Sequence, residues 1–310
     1  MTCLITIGIP TFRRNDDLGE LLPLLLAQKA ELERAGDYAV TVAVVDNDPG
    51  GGAASVVEGL PDAARAGVRY VHEPRAGLAA VRNAALTAAG GDRLLVFMDD
   101  DGRPDDGWLA ALVHTWERSG AAAVAGRVVE RYEAEPPPWI VEFFQRLSMA
   151  TMTPVPVAPT GNLLLDLDAI RRLGLRFDDR FGATGGEDTL FTTQLTRRGG
   201  RIVWCEESRV IDLVPASRMT RQWVLARSRS QGELSARVAD IVSEGPVDRA
   251  TVRLRFAVHG AARVTAGGLR AAYGRCRGDL RAHARGLRTA HRGLGMLQGS
   301  LAPRATGSTR

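Results

Sequence analysis

A strand that ends in three consecutive aspartates constrains the fold of this chain more than any other feature. The run Leu94–Met98 is entirely apolar and lies between glycines, which predicts a strand buried inside a sheet. Asp99, Asp100 and Asp101 follow at once, and adjacent carboxylates are costly unless a cation lies beside them. Because alternate side chains of an extended chain point the same way, Asp99 and Asp101 are predicted to share a divalent cation. A charged turn that caps the next helix is the alternative.

Strand and helix signals alternate on both sides of this run. Short β-branched or apolar runs predict strands at 4–9, 40–45, 68–71, 124–132, 161–166 and 201–205. Helical spacing predicts helices at 16–32, 53–60, 77–89, 108–118 and 188–198, and mostly helix after residue 221. This alternation favours an α/β fold with a Rossmann-like, mostly parallel central sheet flanked by helices. In such sheets, ligands bind at the carboxyl ends of the strands.

Length and composition bound the class of protein. The 310 residues are 45% hydrophobic, enough for one large domain or two smaller ones. The three cysteines have no metal-ligand spacing, and their odd number leaves no closed set of disulfides, which favours a reducing compartment. The N-terminus lacks a basic leader, and the longest uncharged stretch, 147–165, contains three prolines. We therefore expect a cytoplasmic protein.

Positive charge is concentrated towards the C-terminus. Between Arg249 and Arg292, eleven arginines and three histidines accompany one acid, Asp279. Apolar residues are interleaved with the arginines, which predicts one or two amphipathic helices with a basic face. Such a segment implies an anionic partner, and an anionic membrane surface would make the protein peripheral on the inner face of the membrane. Nucleic acid is not expected as a partner. A helical subdomain packed on the rest of the chain, or a dimer contact, is the alternative.

Short polar motifs follow the predicted strands in a specific order. They are Ile9-Pro10-Thr11-Phe12-x-Arg14, Val44-Val45-Asp46-Asn47, Gly77-Leu78-x-x-x-Arg82-Asn83, Met98-Asp99-Asp100-Asp101 with Pro104 and Trp108-Leu109, Gly161-Asn162, Phe177-Asp178, and Gly185-Gly186-Glu187-Asp188. In this order and spacing, the motifs resemble glycosyltransferase family 2, which has the GT-A fold, over residues 4 to 232. The resemblance implies an inverting, metal-dependent transfer of a sugar from a nucleotide-sugar donor to an acceptor hydroxyl.

The resemblance also implies which residues bind the donor. Pro10, Thr11 and Arg13 would line the nucleotide pocket, and Asp46 would accept hydrogen bonds from the nucleobase. Arg82 would lie against the diphosphate, where a planar guanidinium pairs well with phosphate oxygens. The structural alternative is a bare turn for Thr11 and a helix cap for Asp46. For Arg13 and Arg82, it is a solvated arginine on the surface.

The aspartate triplet corresponds to the D-x-D motif of the family. Asp99 and Asp101 would hold a divalent cation, Mg²⁺ or Mn²⁺, that bridges the two phosphates, and Asp100 would belong to the donor site. Many relatives carry an acid where this chain has Gly102. Some relatives also carry a metal-binding histidine after the last core strand, and Asp212 in that neighbourhood is an alternative oxygen ligand.

The acidic pair Glu187-Asp188 would supply the general base. In this family, the position of Asp188 takes the proton of the acceptor hydroxyl as that oxygen attacks the anomeric carbon, with Glu187 in a supporting role. The structural alternative is that both acids cap the following helix, which the helix dipole favours.

Two other functions compete with this interpretation. A nucleotidyltransferase would need a glycine-rich loop after the first strand, and residues 10–14 contain no glycine. A non-catalytic protein that binds anionic surfaces would depend on the arginine segment alone. The acceptor is left open among a saccharide, a lipid-linked saccharide and a small natural product. The predicted domains are a catalytic domain at 1–235 (donor half about 1–105, acceptor half about 106–235), a basic helical region at 236–295 and a disordered tail at 296–310.

Overall fold

The chain divides into two compact units. The computed structural model describes residues 2–141 and 148–302. Met1–Val129 and Leu147–Asp212 form one unit, which we call the α/β unit; Glu130–Arg146 and Leu213–Arg310 form the other, which we call the helical unit. The predicted boundary between residues 235 and 236 instead falls inside the helix Arg221–Ile241.

Eight strands of the described residues form one sheet. They are β1 (Cys3–Thr11), β2 (Tyr38–Asp46), β3 (Val68–His72), β4 (Leu94–Met98), β5 (Gly102–Pro104), β6 (Ala123–Tyr132), β7 (Asn162–Asp166) and β8 (Ile202–Val214), in the spatial order β3-β2-β1-β4-β7-β6-β8-β5. The pairs β1–β2, β1–β4 and β2–β3 are parallel. The pairs β4–β7, β6–β7 and β5–β8 are antiparallel. The predicted α/β fold with a central sheet flanked by helices is confirmed.

The described residues also form eleven α-helices. They are α1 (Asn15–Ala35), α2 (Ala54–Glu58), α3 (Asp62–Arg65), α4 (Leu78–Ala88), α5 (Trp108–Ser119), α6 (Pro138–Val141), α7 (Leu167–Arg172), α8 (Glu187–Arg197), α9 (Arg221–Ile241), α10 (Gly245–Arg277) and α11 (Leu280–Leu301). Short 3₁₀ turns occupy Asp179–Thr184 and Ala216–Arg218. Among the described residues, no helix is both long enough and apolar enough to cross a membrane.

Alternating side chains of β4 build the core of the α/β unit on both faces of the sheet. Leu94, Val96 and Met98 belong to one buried cluster, which includes residues of α1 and α5. Leu95 and Phe97 belong to a second cluster, which includes residues of α4 and α8. A strand covered on both faces needs an uninterrupted apolar run, which explains the sequence of β4. The aspartates that follow therefore emerge at the carboxyl edge of a firmly anchored strand.

In the helical unit, helices pack through glycine. Gly260, Gly267 and Gly274 of α10 are buried. A Cβ atom added to Gly260 would lie 2.9 Å from the carbonyl oxygen of Gly293 in α11. A Cβ atom added to Gly267 would lie 2.5 Å from the backbone nitrogen of Ala290, which is too close for a methyl group. The backbones of α10 and α11 therefore touch.

The predicted tail differs from the structure. Helix α11 continues to Leu301, so the prediction of disorder is wrong for residues 296–301, whereas residues 303–310 lie outside the described part of the chain. Small residues that indicated a tail let α11 approach α9: a Cβ atom added to Gly299 would lie 2.6 Å from the carbonyl oxygen of Glu233. Met296 is buried as well, with 7% of its surface exposed.

Candidate active site

The ends of β1, β2 and β4 bring the first set of predicted site residues together. Pro10 pairs with Val45 and Thr11 with Asp46 in the parallel register of β1 and β2. The Thr11 hydroxyl donates a hydrogen bond of 2.9 Å to Oδ2 of Asp100. Asp100 is consequently the buried member of the triplet, with 6% of its surface exposed. Burial raises the pKa of Asp100, and this effect is opposed by the nearby Arg14 and by the Thr11 hydrogen bond.

Arg14, which the sequence interpretation did not include among the site residues, contacts the triplet directly. Its Nη1 donates to Oδ1 of Asp100 at 2.9 Å and to Oδ2 of Asp101 at 2.6 Å. Arg13 lies elsewhere: its side chain is 67% exposed and its Nε is 3.1 Å from Oδ1 of Asp48. The backbone of Arg13 has φ of 56°, and this left-handed turn separates the directions of the two arginines. The role of Arg13 in the nucleotide pocket stays a prediction.

Asp99 is the most strongly perturbed carboxylate of the site. The protein packed around it raises its pKa to about 6, and the negative charges of Asp101, Asp100 and Asp188 act in the same direction. Arg82 opposes them with Nη2 at 3.9 Å from Oδ1 of Asp99. The Asp99 side chain is nevertheless 53% exposed, so it remains open to a ligand from solvent. Asp99 therefore combines three anionic neighbours with an open face, and its contact with a cation stays a prediction.

Two glycines let the backbone approach the triplet. A Cβ atom added to Gly161 would lie 2.7 Å from Oδ2 of Asp99, so any larger residue would displace that carboxylate. A Cβ atom added to Gly102 would lie 2.9 Å from Cγ1 of Val210 and 3.2 Å from the carbonyl oxygen of Asp99. A side chain at position 102 would therefore require Val210 to shift. Asp212 lies opposite Gly102 in the β5–β8 pair, which brings another carboxylate-bearing residue to this edge.

A buried ion pair links α4 to the start of α8. Arg82 and Glu187 form this pair through Nη1 and Oε1, and their side chains are only 7% and 1% exposed. The Arg82 guanidinium also lies 5.9 Å from the ring centroid of Phe177. Within the described residues, Nε of Arg82 and Oε2 of Glu187 have no hydrogen-bond partner. Arg82 thus stands between Glu187 and Asp99, and its contact with a diphosphate stays a prediction.

Asp188 is the second residue of α8 and is not its N-cap residue. The N-cap residue is Gly186, which follows Gly185, and both glycines have positive φ, 105° and 72° respectively. Asp188 is half-buried, and its Oδ1 accepts hydrogen bonds from Thr189, 2.6 Å from the backbone nitrogen and 3.2 Å from the hydroxyl. Glu187 thus pairs with Arg82 and does not cap the helix. Asp188 accepts from an N–H group of the first turn of α8, as the capping alternative expects for it, and its charge also raises the pKa of Asp99. The catalytic role of Asp188 stays a prediction.

Asp46 organises the loop after β2. Its Oδ1 accepts from the backbone nitrogen of Asp48 at 2.8 Å, and its Oδ2 accepts from that of Ala53 at 2.9 Å. The Tyr70 hydroxyl donates to the same Oδ2 at 3.0 Å. Asp46 is fully buried, so these contacts are structural. A contact between Asp46 and a nucleobase stays a prediction.

A small pocket lies beside this loop at the start of α4. Asn47 donates hydrogen bonds of 2.7 Å to the carbonyl oxygens of Glu73 and Arg75, and its Oδ1 accepts from the backbone nitrogen of Gly77 at 3.1 Å. These bonds hold the segment that leads into α4. The pocket has a volume of about 200 Å³ and is lined by Arg75, Ala76, Gly77, Ala79, Ala80 and Asp179.

Comparison with known proteins identifies the family. Residues 6–174 match the family described as Glycosyl transferase family 2. The chain is also 36% identical over 239 residues to the succinoglycan biosynthesis protein ExoM of Rhizobium meliloti (strain 1021), an alignment that covers 76% of this chain and 75% of ExoM. The chain therefore belongs to glycosyltransferase family 2. It is a glycosyltransferase, which decides against the nucleotidyltransferase and the non-catalytic alternatives.

Solved structures show that the fold is GT-A. A structure of S. aureus TarS superposes with a TM-score of 0.54 at 15% identity, covering 82% of this chain and 42% of TarS. The TarS fragment 1-349 in complex with UDP gives a TM-score of 0.51 at 15% identity, covering 82% of this chain and 69% of that one. The structure of GalNAc-T7 with UDP, GalNAc and Mn²⁺ gives a TM-score of 0.57 at 14% identity. The match covers 77% of this chain and 48% of GalNAc-T7. The chain thus spans less than half of the TarS and GalNAc-T7 chains, and the likeness concerns the fold alone.

Proposed function

We propose that this glycosyltransferase moves a sugar from a nucleotide-sugar donor to an acceptor hydroxyl with inversion at the anomeric carbon. The observation that carries the proposal is the gathering of carboxylates from β4 and α8 at one edge of the sheet. Asp188 is close enough to Asp99 for its charge to raise the pKa of Asp99. The carboxylates proposed to hold the cation and the proposed general base would thus lie next to each other in one active site. The UDP bound to the TarS fragment and to GalNAc-T7 supports a nucleotide-sugar donor.

The residues present suit a divalent cation, Mg²⁺ or Mn²⁺, held by Asp99 and Asp101. Mg²⁺ is usually bound by one or two carboxylates together with substrate phosphates rather than by a cage of protein ligands. In the described part of the chain, no group of three acidic, histidine or cysteine side chains is arranged to hold a metal ion by itself, so phosphate oxygens would complete this donor set. Burial raises the pKa of Asp99 most, and the charges of Asp101, Asp100 and Asp188 raise it further; a bound cation would offset these charges. When bound, the cation would neutralise charge on the departing nucleoside diphosphate.

Asp188 is the proposed general base. The acceptor hydroxyl gives its proton to the Asp188 carboxylate while the hydroxyl oxygen forms a bond to the anomeric carbon. The bond from that carbon to the diphosphate breaks at the same time, and its electrons leave with the diphosphate. The hydrogen bond from the backbone nitrogen of Thr189 to Oδ1 holds the carboxylate in one orientation.

Arg82 and Glu187 are the proposed positioning residues. Their buried pair fixes the first turn of α8, from which Asp188 projects, against α4. Removal of either partner would leave an uncompensated buried charge, which typically costs about 3–5 kcal/mol. Glu187 therefore supports the reaction through Arg82 and through the position of Asp188. The acceptor is proposed to be a saccharide, because the ExoM relative is named for glycan biosynthesis.

Kinetics and binding of Asp188→Asn test this assignment. The variant keeps the size of the side chain and loses its basicity, so transfer should fall by on the order of a hundredfold or more while donor affinity hardly changes. Initial rates with a panel of nucleotide sugars measure transfer, and titration calorimetry measures donor affinity. The control is Asp106→Asn, which changes an exposed carboxylate that follows the triplet. Wild-type transfer by Asp188→Asn would refute the general base.

The metal site has its own test in Asp101→Ala. Loss of one of two carboxylate ligands should abolish most metal-dependent transfer and weaken the binding of nucleotide diphosphate in the presence of Mn²⁺. Donor binding without the metal should change little. If Asp101→Ala retained the full metal-dependent rate, Asp101 would not be a ligand, whatever the role of Asp188.

A further inference from the structure

One face of α10 exposes a row of uncharged and apolar side chains. We define the exposed stripe as Val247, Thr251, Leu254, Val258, Thr265 and Leu269. Their spacing of three, four or seven residues places all six on one side of a helix. At 1.5 Å per residue, the stripe is about 33 Å long. The exposed fractions are 80% for Val247, 66% for Leu254, 58% for Val258 and 69% for Leu269.

The stripe lies opposite the packed side of α10. The buried glycines 260, 267 and 274 face α11, and at 100° per residue the stripe is on the far side of the helix. Single exposed apolar residues are ordinary on a protein surface, but a contiguous apolar patch marks an interaction surface. The glycine face satisfies the packing of α10 within its unit, so the apolar stripe is left for an external partner.

Cationic side chains lie on one side of the stripe. At 100° per residue, Arg255 is about 40° from the edge of the stripe and Arg270 about 100° from it. Both are exposed, and in the described part of the chain no carboxylate pairs with them. The arginines of α10 that do pair with an acid are Arg249 and Arg253, which contact Asp240. Near the end of the helix, Tyr273 is 58% exposed, and the Arg277 guanidinium lies 5.7 Å from the centroid of its ring.

We propose that the exposed stripe docks on the surface of an anionic lipid bilayer. Apolar residues bordered by arginines match a membrane interface, where apolar side chains enter the acyl boundary and cationic ones meet phosphate headgroups. Long arginine side chains bury their stems and keep their charge in the polar layer. An exposed tyrosine suits the same depth, since its ring is apolar and its hydroxyl is polar. The helix then lies in the plane of the interface.

Charge decides between a bilayer and a second copy of this chain. Two copies that met along the stripe would bring two strongly cationic segments together, since residues 249–292 carry eleven arginines and one acid, and like charges in an interface are unfavourable. Asp279 caps α11 by accepting from the backbone nitrogen of Ala282 at 2.9 Å, and Asp248, at the start of the stripe, accepts from the backbone nitrogen of Glu244 at 2.8 Å. These two acids offset only a small part of the positive charge, whereas an anionic bilayer supplies the opposite charge throughout.

Vesicle binding by the full chain tests the proposal. Co-sedimentation is measured with vesicles of phosphatidylcholine containing phosphatidylglycerol and with vesicles of phosphatidylcholine alone. The wild type should bind the anionic vesicles and hardly bind the neutral ones, and rising salt should weaken binding. Absence of binding at low salt, or equal binding to both vesicles, overturns the proposal.

Two pairs of variants separate the apolar and the charged contributions. Leu254→Gln with Leu269→Gln should lower binding by on the order of tenfold, because both leucines enter the acyl boundary. The matched control is Leu24→Gln, an exposed leucine of α1 in the α/β unit. Arg255→Gln with Arg270→Gln should lower binding and reduce its salt dependence, with the exposed Arg118→Gln of α5 as control.

Three readouts keep these variants decisive. Melting temperatures and transfer rates in solution should match the wild type, because every substituted side chain is exposed and outside the proposed active site. Binding by the leucine variant that equals the wild type would refute the stripe. Sedimentation velocity is the third readout: a wild-type dimer that the leucine variant loses, together with absent vesicle binding, would assign the stripe to a second copy instead.

Discussion

The two units of this glycosyltransferase differ in the residues that pack in their interiors: large apolar side chains in the α/β unit and glycines in the helical unit. In the α/β unit, β4 sends Phe97 and Leu95 into one layer and Val96 into the other, and each is at most 1% exposed. In the helical unit, the close contact between α10 and α11 is made by glycines such as Gly267, while Leu269 two residues later is 69% exposed. Helices that pack on a sheet leave room for large side chains. Helices that cross through glycines bring their backbones into contact.

This difference predicts opposite sensitivities. The α/β unit should suffer most when volume is removed, because a cavity remains where a large side chain was. The helical unit should suffer when volume is added at its glycines, because the opposing atoms are backbone and have no rotamer to change. Substitutions in each unit, followed by hydrogen exchange resolved along the chain, can therefore break or sharpen the comparison.

The largest effect is expected from Phe97→Ala. Phe97 is 1% exposed and packs edge-to-face on Phe177, with ring centroids 5.7 Å apart. Truncation of a buried phenylalanine costs about 3–5 kcal/mol. The control is Phe12→Ala, which removes a phenylalanine that is 51% exposed and should cost less than about 1 kcal/mol. Urea unfolding gives the free energies, and hydrogen exchange should show the loss of protection in β1 and β4. A small cost for Phe97→Ala would contradict the tight packing of this layer.

A smaller loss of stability is expected from Gly267→Ala. The new methyl group would meet the backbone nitrogen of Ala290 at 2.5 Å and the carbonyl oxygen of Gly286 at 2.7 Å. Overpacking of this kind typically costs about 1–3 kcal/mol, and the better helix propensity of alanine offsets less than about 1 kcal/mol of it. Protection from hydrogen exchange should fall in α10 and α11 while β4 keeps its protection. An equal loss in β4 would mean that the two units unfold together.

The same contrast explains which parts of the fold could be predicted. The runs that form β1, β2 and β4 are mostly apolar and separated by polar turns, and a strand buried on both faces leaves such a run whatever its neighbours are. In α10, the sequence predicted an amphipathic helix with a basic face and left open what its apolar residues contact, whereas the packed side consists mainly of glycines. Glycine carries no hydropathy signal that distinguishes a close helix crossing from a flexible tail, and α11 was consequently predicted to end before Met296.

In the candidate site, local motifs were predictable and their partners were not. The carboxylates of the triplet and of the Glu187-Asp188 pair were recognised from their positions after a strand and before a helix. The pairing of Arg82 with Glu187 joins residues far apart in the chain, and a single sequence carries no signal of that contact. Arg14 belonged to the recognised motif after β1, but the left-handed backbone of Arg13, which directs Arg14 to Asp100, is not visible in a sequence.

A pH-dependent effect is expected from Asp99→Asn. The pKa of Asp99 is raised to about 6 in the folded protein, above its ordinary value, so folding favours the protonated acid. Stability is therefore lost as the pH rises towards about 6, and the penalty is fully present above that pH. Without added metal, Asp99→Asn should raise the melting temperature at neutral pH, and the increase should be smaller near pH 4. Because solvent screens the exposed carboxylate, the increase should be modest at either pH. Mn²⁺ should raise the melting temperature of the wild type more than that of the variant. The exposed Asp106→Asn is the control, and a pH-independent shift would contradict the assigned ionisation.

The smallest effect, of opposite sign, is expected from Gly268→Ala. Gly268 follows Gly267 directly in α10, but among the described residues no atom beyond its chain neighbours and the adjacent helix backbone lies within 4 Å of the position that its Cβ would take. Alanine costs less conformational entropy in a helix than glycine, so the variant should be more stable by up to about 1 kcal/mol. Urea unfolding of this variant beside Gly267→Ala compares two neighbouring residues with the same substitution. If Gly267→Ala lowers the free energy of unfolding and Gly268→Ala raises it, the contact between the backbones of α10 and α11 stabilises the helical unit. A stabilising effect at both positions would instead mean that α10 and α11 can separate without loss, and the contrast with the α/β unit would disappear.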